Sequence, residues 1–517
     1  MSQAIVDYVT RDFGTLSDLV ALQAAAKPDH LALVHNEREV SYGELDDLIN
    51  RFAAALQANG YEAGGSVAIC GLTSIEYVVG FLGTLRAGMT VAPLAPSSTP
   101  TSLADMIRDS GAKLFLVDAA SHEALAEELK SLDVAVLRMD QTGEGSVPGF
   151  LAPAGTKPAP VEIDPDLGFN IIYSSGTTGT PKGIVQSHQM RWGHCRPMDP
   201  PGHGPDAITM VSTPLYSNTT LVSFIPTLSG GGTAILMEKF NTEKFLKLAE
   251  KWRATHAMLV PVQYQRLMDF EGFDDYDLSS FVIKFCTSAP FTPELKAEVL
   301  KRFPGGLVEY YGMTEGGGSC MLVAHEHPDK LHTVGQPIEG HDIRIIDEDG
   351  NMLPPGQTGE IVGSSEAIMN GYHNQPGKTA EAEWYSPEGT RFIRTGDVGR
   401  FDEDGFITLM DRKKDMIISG GFNIYPSDIE LLLRQHEDVA DVAVVGVPSR
   451  DWGETPIAFA VLTKDAKSTA EDIREWANSQ LGKTQRIADF VITDDLPRSA
   501  IGKVLKRELR DIYGPAK

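Results

Sequence analysis

A loop rich in glycine and hydroxyl side chains has the composition best suited to binding a charged ligand. The loop runs from Ser174 to Gly183 as SSGTTGTPKG, directly after the apolar stretch 169–173, which predicts a buried strand. Glycine lets the backbone approach a ligand closely, and successive N–H groups beside small hydroxyls can surround a polyanion. The composition is also typical of a flexible surface loop. The residues predicted to contact phosphate groups are Ser174, Ser175, Gly176, Thr177, Thr178, Gly179 and Lys182.

The loop does not have the spacing of a P-loop NTPase. That pattern places a glycine, four residues and then Gly-Lys-Ser/Thr. Here Lys182 lies between Pro181 and Gly183, so this class is disfavoured.

Composition limits the classes of protein that this chain can belong to. Its 517 residues exceed what one core can organise, so two or more domains are expected. The net charge of −26 argues against nucleic-acid binding and against a basic membrane-docking surface. The four cysteines form no CxxC pair, and we interpret them as reduced core thiols of a cytoplasmic protein. No signal peptide is expected, and no apolar run approaches the roughly 18 residues of a membrane span.

Strands and helices alternate on both sides of the loop. Ser41 and Glu44 predict a capping box at the start of a helix with apolar residues at helical spacing. The alternation predicts a mostly parallel sheet covered on both faces. The predicted strands are 67–70, 91–94, 113–117, 134–137, 208–212, 232–236 and 257–260; the predicted helices are 74–85, 102–108 and 123–132; and 141–165 is expected to be a long surface connection.

The last hundred or so residues predict a separate, compact α+β unit. A helix beginning near Tyr425 is expected to carry a second capping box, from Ser427 to Glu430. Strands are predicted at 439–445, 456–462 and around 490–492, and a helix at 468–481.

Six sequence blocks occur in order along nearly the whole chain: the loop 174–183, Tyr310–Glu315, Gly359–Ile361 continuing to Gly371–Tyr372, Thr395–Asp397, Asp411–Asp415 and Pro497–Lys503. Together they resemble the adenylate-forming superfamily, which includes acyl-CoA and aryl-CoA synthetases. The resemblance implies a large N-terminal domain of layered α/β sheets, 1–412, and a small mobile α+β C-terminal domain, 413–517.

The resemblance also assigns roles to individual residues. Tyr311 would stack on adenine, Thr314 would contact the α-phosphate, and Glu315 would bind Mg²⁺. Lys503 would be the catalytic lysine, acting together with Thr314 and Glu315. The remaining nucleotide and coenzyme A positions are Ser288, Ala289, Pro290, Tyr310, Gly312 and Met313 around adenine, Asp397 and Arg412 at the ribose, Lys414 at the hinge, and Gly420 and Gly421 in the thiol channel.

Taken singly, these residues have simpler explanations. Tyr311 could be a core aromatic residue, Glu315 a solvated carboxylate, and Asp397 the first residue of an Asx turn. Lys503 could be a surface lysine, and His188 a core histidine with its hydrogen bonds satisfied.

A carboxylic-acid pocket is expected after the predicted strand 208–212. Many acyl-CoA synthetases have histidine where this chain has Ser217, and no aspartate lies between Tyr216 and Ser223 to bind an amino group. The missing aspartate disfavours an amino acid. Asn218, Thr219 and Ser223 offer hydrogen-bonding partners, and Gly316 to Gly318 leave room for a flat ring or an extended chain, so an aryl or arylpropenoic acid is favoured over a medium-chain fatty acid. The predicted pocket residues are Tyr216, Ser217, Asn218, Thr219, Ser223, Val262, Gly316 and Gly317.

The resemblance implies an AMP-forming acid–thiol ligase that uses ATP, Mg²⁺ and coenzyme A. The alternative is an adenylating enzyme that loads a carrier protein or oxidises its acyl-adenylate, as a luciferase does. A non-catalytic nucleotide-binding relative is disfavoured because Lys503, Glu315 and Asp397 are all present. The expected partners are small molecules, and a homodimer is left open.

Overall fold

The computed structural model describes residues 2–174, 182–196, 202–412, 415–419, 422–449, 452–482, 485–499 and 502–513. Contacts divide the chain into two units. The first unit comprises 1–332, 337–342 and 363–393, and the second comprises 333–336, 343–362 and 394–517. The predicted domain boundary between 412 and 413 falls inside the second unit and stays a prediction.

Helices alternate with strands through most of the described chain. The α-helices are α1 Gln3–Val9, α2 Leu16–Ala26, α3 Tyr42–Ala58, α4 Ile75–Arg86, α5 Pro100–Asp109, α6 Ala119–Ala124, α7 Val147–Phe150, α8 His188–Cys195, α9 Asn218–Ser229, α10 Thr242–Trp252, α11 Pro261–Met268, α12 Pro293–Arg302, α13 Pro376–Glu381, α14 Pro426–Leu433, α15 Ala470–Gln480 and α16 Lys506–Tyr513. Short 3-10 helices lie at Glu128–Ser131 and Phe273–Asp275.

The strands are β1 Leu31–His35, β2 Arg38–Ser41, β3 Ser66–Cys70, β4 Thr90–Leu94, β5 Leu114–Val117, β6 Ala135–Arg138, β7 Gly168–Ser174, β8 Lys182–Ser187, β9 Ile208–Val211, β10 Thr233–Leu236, β11 His256–Leu259, β12 Ile283–Cys286, β13 Gly306–Tyr311, β14 Cys320–Val323, β15 Gln336–Pro337, β16 Asp342–Ile346, β17 Gly359–Ser364, β18 Gly371–Tyr372, β19 Glu383–Tyr385, β20 Arg391–Phe401, β21 Ile407–Arg412, β22 Ile417–Ser419, β23 Phe422–Ile424, β24 Val439–Ser449, β25 Gly453–Leu462 and β26 Asp489–Ile492.

Two sheets organise the first unit. One sheet has the strand order β18-β8-β7-β4-β3-β5-β6, and the other includes the order β14-β13-β12-β11-β9-β10-β1-β2. Neighbours from β4 to β6, and from β13 to β10, are parallel, whereas β7–β8, β13–β14 and β1–β2 are antiparallel. The predicted α/β class with mostly parallel sheets is therefore confirmed, with antiparallel pairs at sheet edges.

Local signals predict the helix that packs beside these sheets. The capping box of α3 is present, because Ser41 accepts from the Glu44 N–H and Glu44 accepts from the Ser41 N–H. Its buried face includes Leu45, Ile49 and Phe52, which recur at helical spacing.

The second unit contains its own antiparallel sheet. Strands β24 and β25 pair over almost their full length, β26 runs parallel to β25, and β22 pairs antiparallel with β23 and β25. One face of this sheet packs with α14 and α15 around Ile429 and Ile473, and the other packs with α16 through Leu509. The expected small α+β unit is present in this part of the chain.

Three local predictions are wrong. The helix predicted at 123–132 is replaced by α6 and a 3-10 turn, because Asp118 caps α6 by accepting from the Ser121 N–H and the fully buried Leu125 follows. The connection 141–165 is not wholly at the surface, since it includes α7, where Val147 is buried in the core.

The third error concerns the start of α14, where the expected capping box is absent. The Ser427 hydroxyl donates to the Met410 carbonyl instead. Glu430 accepts from the Val444 N–H at 2.8 Å and pairs with Lys506 at 2.9 Å. Partners distant in sequence therefore replace the local ones.

All four cysteines are buried and free of disulfide bonds, as predicted. In the described part of the chain, no helix is both long and apolar enough to cross a membrane.

Candidate active site

The predicted phosphate loop connects two antiparallel strands. β7 ends at Ser174, which pairs with Lys182 at the start of β8, and Phe169 and Ile171 are buried as predicted for this strand. The residues Ser175, Gly176, Thr177, Thr178 and Gly179 lie outside the described residues. A Cβ atom at Gly183 would lie 2.8 Å from a methyl group of Ile171, so close packing requires glycine there. The hairpin connection differs from the strand–loop–helix arrangement of a P-loop.

Lys182 and Glu315 are linked through Tyr372. The Lys182 ammonium nitrogen lies 4.9 Å from the centroid of the Tyr372 ring, which is a cation–π distance. The Tyr372 hydroxyl donates to Glu315 Oε1 at 2.8 Å. Burial, and then the Glu315 carboxylate, raise the pKa of the Tyr372 phenol well above its usual value, so the phenol remains a donor. Lys182 and Glu315, both predicted site residues, thus contact Tyr372, to which the sequence analysis assigned no role of its own.

The turn after β13 depends on two glycines. Gly316 and Gly317 have φ angles of +72° and +92°, and the Gly317 N–H donates to the Ala367 carbonyl at 2.9 Å. A Cβ atom at Gly316 would lie 1.9 Å from the Ala367 carbonyl oxygen. A Cβ atom at Gly317 would lie 2.6 Å from the Gly363 carbonyl oxygen. Backbone packing therefore explains both glycines, and their role in substrate binding stays a prediction.

The predicted adenine residues follow two neighbouring strands. β13 ends with Tyr310 and Tyr311, both half-buried, and Gly312 and Met313 come next. Tyr310 stacks on Phe285 of β12, with ring centroids 5.9 Å apart, and burial raises its pKa to about 12. Because β12 and β13 are adjacent and parallel, the segments after them start at the same edge of the sheet.

The segment after β12 has an unusual backbone conformation. Ser288 has a φ angle of +84°, a conformation that residues other than glycine rarely adopt and that recurs at functional sites. Its hydroxyl is 2.5 Å from the Thr219 hydroxyl. Ala289 is half-buried and Pro290 is exposed. This contact connects the predicted adenine segment to the predicted acid pocket.

The predicted acid pocket centres on the start of α9. Ser217 is the N-cap residue of α9, but its side chain makes no capping hydrogen bond. Thr219 and Ser223 are four residues apart on one helical face, and the Ser223 hydroxyl lies 3.2 Å from Nε2 of His203. Burial raises the pKa of Tyr216 to about 12. Val262, in α11, is half-buried.

A buried polar cluster under these segments was not found from the sequence. Arg191 of α8 is 1% exposed, and its guanidinium donates to Asn170, Gln186 and Asn218 side-chain oxygens. The Gln186 amide donates in turn to the Thr314 carbonyl at 2.6 Å. The available signal was a polar residue within each apolar strand: Asn170 in β7 and Gln186 in β8.

His188 begins α8 directly after β8. Its side chain is buried, and its ring lies edge-on to Phe169 with centroids 5.2 Å apart. Burial lowers the pKa of His188 to about 4, so the ring is neutral near pH 7. Nε2 of His188 has no hydrogen-bond partner in the described part of the chain. The ring is therefore a core histidine with one unsatisfied nitrogen.

The predicted ribose residues face each other in the second unit. Asp397 of β20 pairs with Arg412 of β21 in the antiparallel register. The Asp397 N–H donates to the Thr395 hydroxyl at 3.0 Å, and that hydroxyl donates to the Ile361 carbonyl at 2.8 Å. The turn is therefore held by Thr395, and the ribose role of Asp397 stays a prediction.

Lys503 lies at the end of a tight hairpin in the same unit. Its N–H donates to the Ser499 hydroxyl at 3.2 Å, and the Ser499 N–H donates to the Lys503 carbonyl at 2.8 Å. Arg498 donates to the Gly502 carbonyl at 2.8 Å and so ties the two sides of the hairpin. The hinge and channel positions Lys414, Gly420 and Gly421 lie outside the described residues.

The structure thus brings the predicted site residues together in two groups. The first unit groups Lys182 with Glu315, and Thr219 with Ser288. The second unit pairs Asp397 with Arg412 and carries Lys503 on a hairpin.

Comparisons with known proteins show the family to which this chain belongs. Residues 20–373 match the family described as AMP-binding enzyme, and residues 428–503 match the AMP-binding enzyme C-terminal domain. The chain is 31% identical over 500 residues to a feruloyl-CoA synthase from Amycolatopsis sp, covering 95% of this chain and 98% of that protein. It is 28% identical over 516 residues to ScoC of Streptomyces coeruleorubidus, a fatty acid–[acyl-carrier-protein] ligase, covering 96% of each chain.

A solved structure has the same overall fold as this chain. The crystal structure of ATP-bound MatB from Rhodopseudomonas palustris superposes with a TM-score of 0.85 at 30% identity, over 96% of this chain and 99% of that one. The chain therefore belongs to the AMP-binding enzyme family, and it is an adenylate-forming enzyme of the carboxylate–CoA ligase type.

Proposed function

We propose that this enzyme activates an aryl or arylpropenoic acid with ATP and transfers the acyl group to coenzyme A. The single observation that carries the nucleotide half is the Lys182–Tyr372–Glu315 group beside the hairpin turn. It combines a cation and a carboxylate at the end of a glycine-rich connection, which suits a phosphate chain with a bound metal ion.

The donor set near the hairpin fits Mg²⁺ only together with a nucleotide. Among the described residues, no three His, Cys, Asp or Glu side chains form a group able to hold a metal ion. Mg²⁺ is commonly bound by one or two carboxylates plus substrate phosphates rather than by an all-protein cage. Glu315 would hold the ion, which would neutralise phosphate charge when bound.

The first half-reaction requires positioning and neutralisation of charge rather than a protein nucleophile. A carboxylate oxygen of the acid attacks the α-phosphorus of ATP, the bond to the β-phosphate oxygen breaks, and pyrophosphate leaves. Thr314 would hydrogen-bond the α-phosphate, and Lys503 would stabilise the negative charge of the transition state. Asp397 and Arg412 would hold the ribose, and Tyr311 would stack on the adenine.

In the second half-reaction, the thiolate of coenzyme A attacks the acyl carbon of the adenylate, and AMP leaves with the former carboxylate oxygen. By family resemblance, a rotation at Lys414 removes Lys503 and brings the Gly420–Gly421 segment to the thiol. Hinge closure of this kind is an established class of domain motion.

The proposed acid class rests on the surroundings of α9. Thr219 and Ser223 present hydroxyl groups on one face, and the His203 ring stacks against Phe285 with centroids 5.5 Å apart. A flat ring is suited to such aromatic surroundings. The feruloyl-CoA synthase supports an arylpropenoic acid, and the carrier-protein ligase supports the alternative in which a carrier protein is the acceptor.

A panel of carboxylic acids tests the proposal. Acid-dependent pyrophosphate release is expected with cinnamate-type acids, and coenzyme A should then accelerate AMP release. Pyrophosphate release without coenzyme A-dependent AMP release would favour a carrier protein or oxidation of the adenylate. The absence of pyrophosphate release with every acid would contradict the proposal.

A further inference from the structure

The buried Arg191 has no carboxylate partner among the residues that the structure describes. Its guanidinium is 1% exposed and is held by neutral side-chain oxygens: Asn170 at 3.1 and 3.2 Å, Asn218 at 2.8 Å, and Gln186. In the described part of the chain, no carboxylate is among the groups that shift the pKa of Arg191. Burying a cation without a counter-charge is costly, and this protein has a net charge of −26. The lack of a carboxylate partner therefore requires an explanation.

The groups around Arg191 do not remove its charge. Burial lowers the pKa of Arg191 to about 9, so the guanidinium stays protonated near pH 7. His194 is 3.4 Å away, and burial followed by the Arg191 charge lowers the pKa of His194 to about 3. Glu315 follows Thr314 in sequence, but its Oε1 accepts from Tyr372. The cluster therefore carries one positive charge.

Two contacts lead from Arg191 to the segments that frame the proposed acid and nucleotide sites. One passes through Gln186, whose amide nitrogen donates to the Thr314 carbonyl at 2.6 Å. The other is direct, to Asn218, the first residue of α9. Asn170 and Gln186 are register partners in β7 and β8, and their amides are joined at 2.8 Å, so the cluster is anchored in the sheet.

We propose that Arg191 is a positioning residue whose buried charge is balanced by the anionic acid substrate rather than by a carboxylate of the chain. The inference rests on the proposed function, because it places the acid between the Thr314 and α9 segments. The fork of the guanidinium fixes Asn218 and Gln186, and its charge favours a carboxylate over a neutral group of the same shape.

The test compares an acid with its neutral analogue. Binding of cinnamate and cinnamamide, measured by calorimetry on the full chain, gives a ratio of affinities that is independent of turnover. The wild type should bind cinnamate more tightly than cinnamamide. Arg191→Met should reduce the preference for cinnamate over cinnamamide by roughly tenfold or more, because the buried positive charge of the guanidinium is lost. Arg191→Lys should keep the ratio within about threefold but lower the rate of pyrophosphate release, because the fork is lost.

Lys284 offers a matched control. It is also a buried basic side chain of the first unit whose ammonium donates to neutral oxygens, the backbone carbonyls of 303–306 at 2.8 to 3.2 Å. Burial lowers the pKa of Lys284 to about 7, so it carries part of a charge near pH 7. Lys284→Met should lower thermal stability and leave the cinnamate-to-cinnamamide ratio unchanged. A ratio that falls equally in Lys284→Met and Arg191→Met would show a structural effect and overturn the inference.

Two further results would contradict the role of Arg191. A wild type that binds cinnamate no more tightly than cinnamamide, or an Arg191→Met variant that keeps the preference, overturns the inference. If Arg191→Met does not fold, Arg191→Gln replaces it, with the same expected loss of preference. Failure of the proposed function is seen separately, as a wild type without acid-dependent pyrophosphate release.

Discussion

Two lysines of this chain lie beside antiparallel pairings, one in each unit, and their proposed roles differ. Lys182 opens β8 in the first unit, and its ammonium lies over Tyr372, which is hydrogen-bonded to Glu315. Lys503 lies in the second unit, where its backbone N–H and carbonyl are both hydrogen-bonded to Ser499. A lysine inside a preassembled group is suited to hold a ground-state ligand. The proposed role of Lys503 differs, because it would reach the ligand only when the C-terminal domain closes.

The largest expected effect is at Lys503. Lys503→Ala should lower the rate of acid-dependent pyrophosphate release by about 10²- to 10³-fold, because one donor to the transition state is lost. Lys182→Met should lower it by about tenfold, mainly through a higher KM for ATP. Arg507→Ala, on an exposed side chain of α16, is the control and should change the rate by less than about twofold. Equal losses for the two lysines would contradict the difference between the hairpins.

Only the group around Lys182 includes a proposed Mg²⁺ ligand, Glu315. Glu315→Gln should raise the Mg²⁺ concentration needed for half-maximal pyrophosphate release by about tenfold or more, because a hard carboxylate ligand is lost. Tyr372→Phe removes only the 2.8 Å hydrogen bond to Glu315 and should change this concentration by about threefold. Titration of Mg²⁺ at saturating ATP and acid measures both. A Glu315→Gln variant with the wild-type Mg²⁺ dependence would remove Glu315 from the metal site.

Sequence reasoning was accurate where the determining contacts are local. The capping box of Ser41 and Glu44 spans three residues, and both of its hydrogen bonds are present. The same signal at Ser427 and Glu430 was wrong because partners from β21 and β24 take both side chains. A local pattern therefore predicts a contact only where no distant partner competes for the same atoms.

The candidate site shows the same limit. The order of the sequence blocks was enough to predict Lys182, Glu315 and Lys503 as site residues. Tyr372 and Arg191 were not assigned roles, because their contacts join segments far apart in sequence. Arg191 contacts Asn170 and Asn218 only after β7, α8 and α9 have packed together, and no local periodicity encodes these contacts.

A smaller effect is expected at the proposed hinge. Lys414→Pro should leave pyrophosphate release near the wild-type rate and slow thioester formation by about tenfold, because proline restricts the backbone rotation. Lys414→Ala is the matched control, since it removes the side chain and keeps the backbone free. Single-turnover assays of the two half-reactions measure the effects separately. Equal slowing of both half-reactions by Lys414→Pro would contradict the hinge assignment.

The smallest expected effect is on stability, and it concerns the core beneath the first hairpin. His188 follows β8 directly. Residues 498–504 contain no histidine, so a stability effect of this kind is expected beside the first hairpin and not beside Lys503. Burial lowers the pKa of His188 from 6.5 to about 4 in the folded protein. The folded state therefore binds fewer protons than the unfolded state between these values, and stability is lost as pH falls from about 6.5 to 4. One such group accounts for ~3 kcal/mol of the unfolding free energy over that range.

His188→Gln should reduce the acid-induced loss of stability by up to that amount, because glutamine does not titrate. Urea unfolding at pH 7 and pH 4 measures the difference. His332→Gln, on an exposed side chain, is the control and should leave the pH dependence of the wild type unchanged. If His188→Gln retained the full wild-type slope, the cost of protonation would lie elsewhere, and the half-buried His194 and His203, each with a pKa lowered to about 3, would be the next groups to replace. A reduced slope would show that acid weakens the first unit through the neutral ring packed against Phe169, at the base of the strand that leads into the phosphate loop.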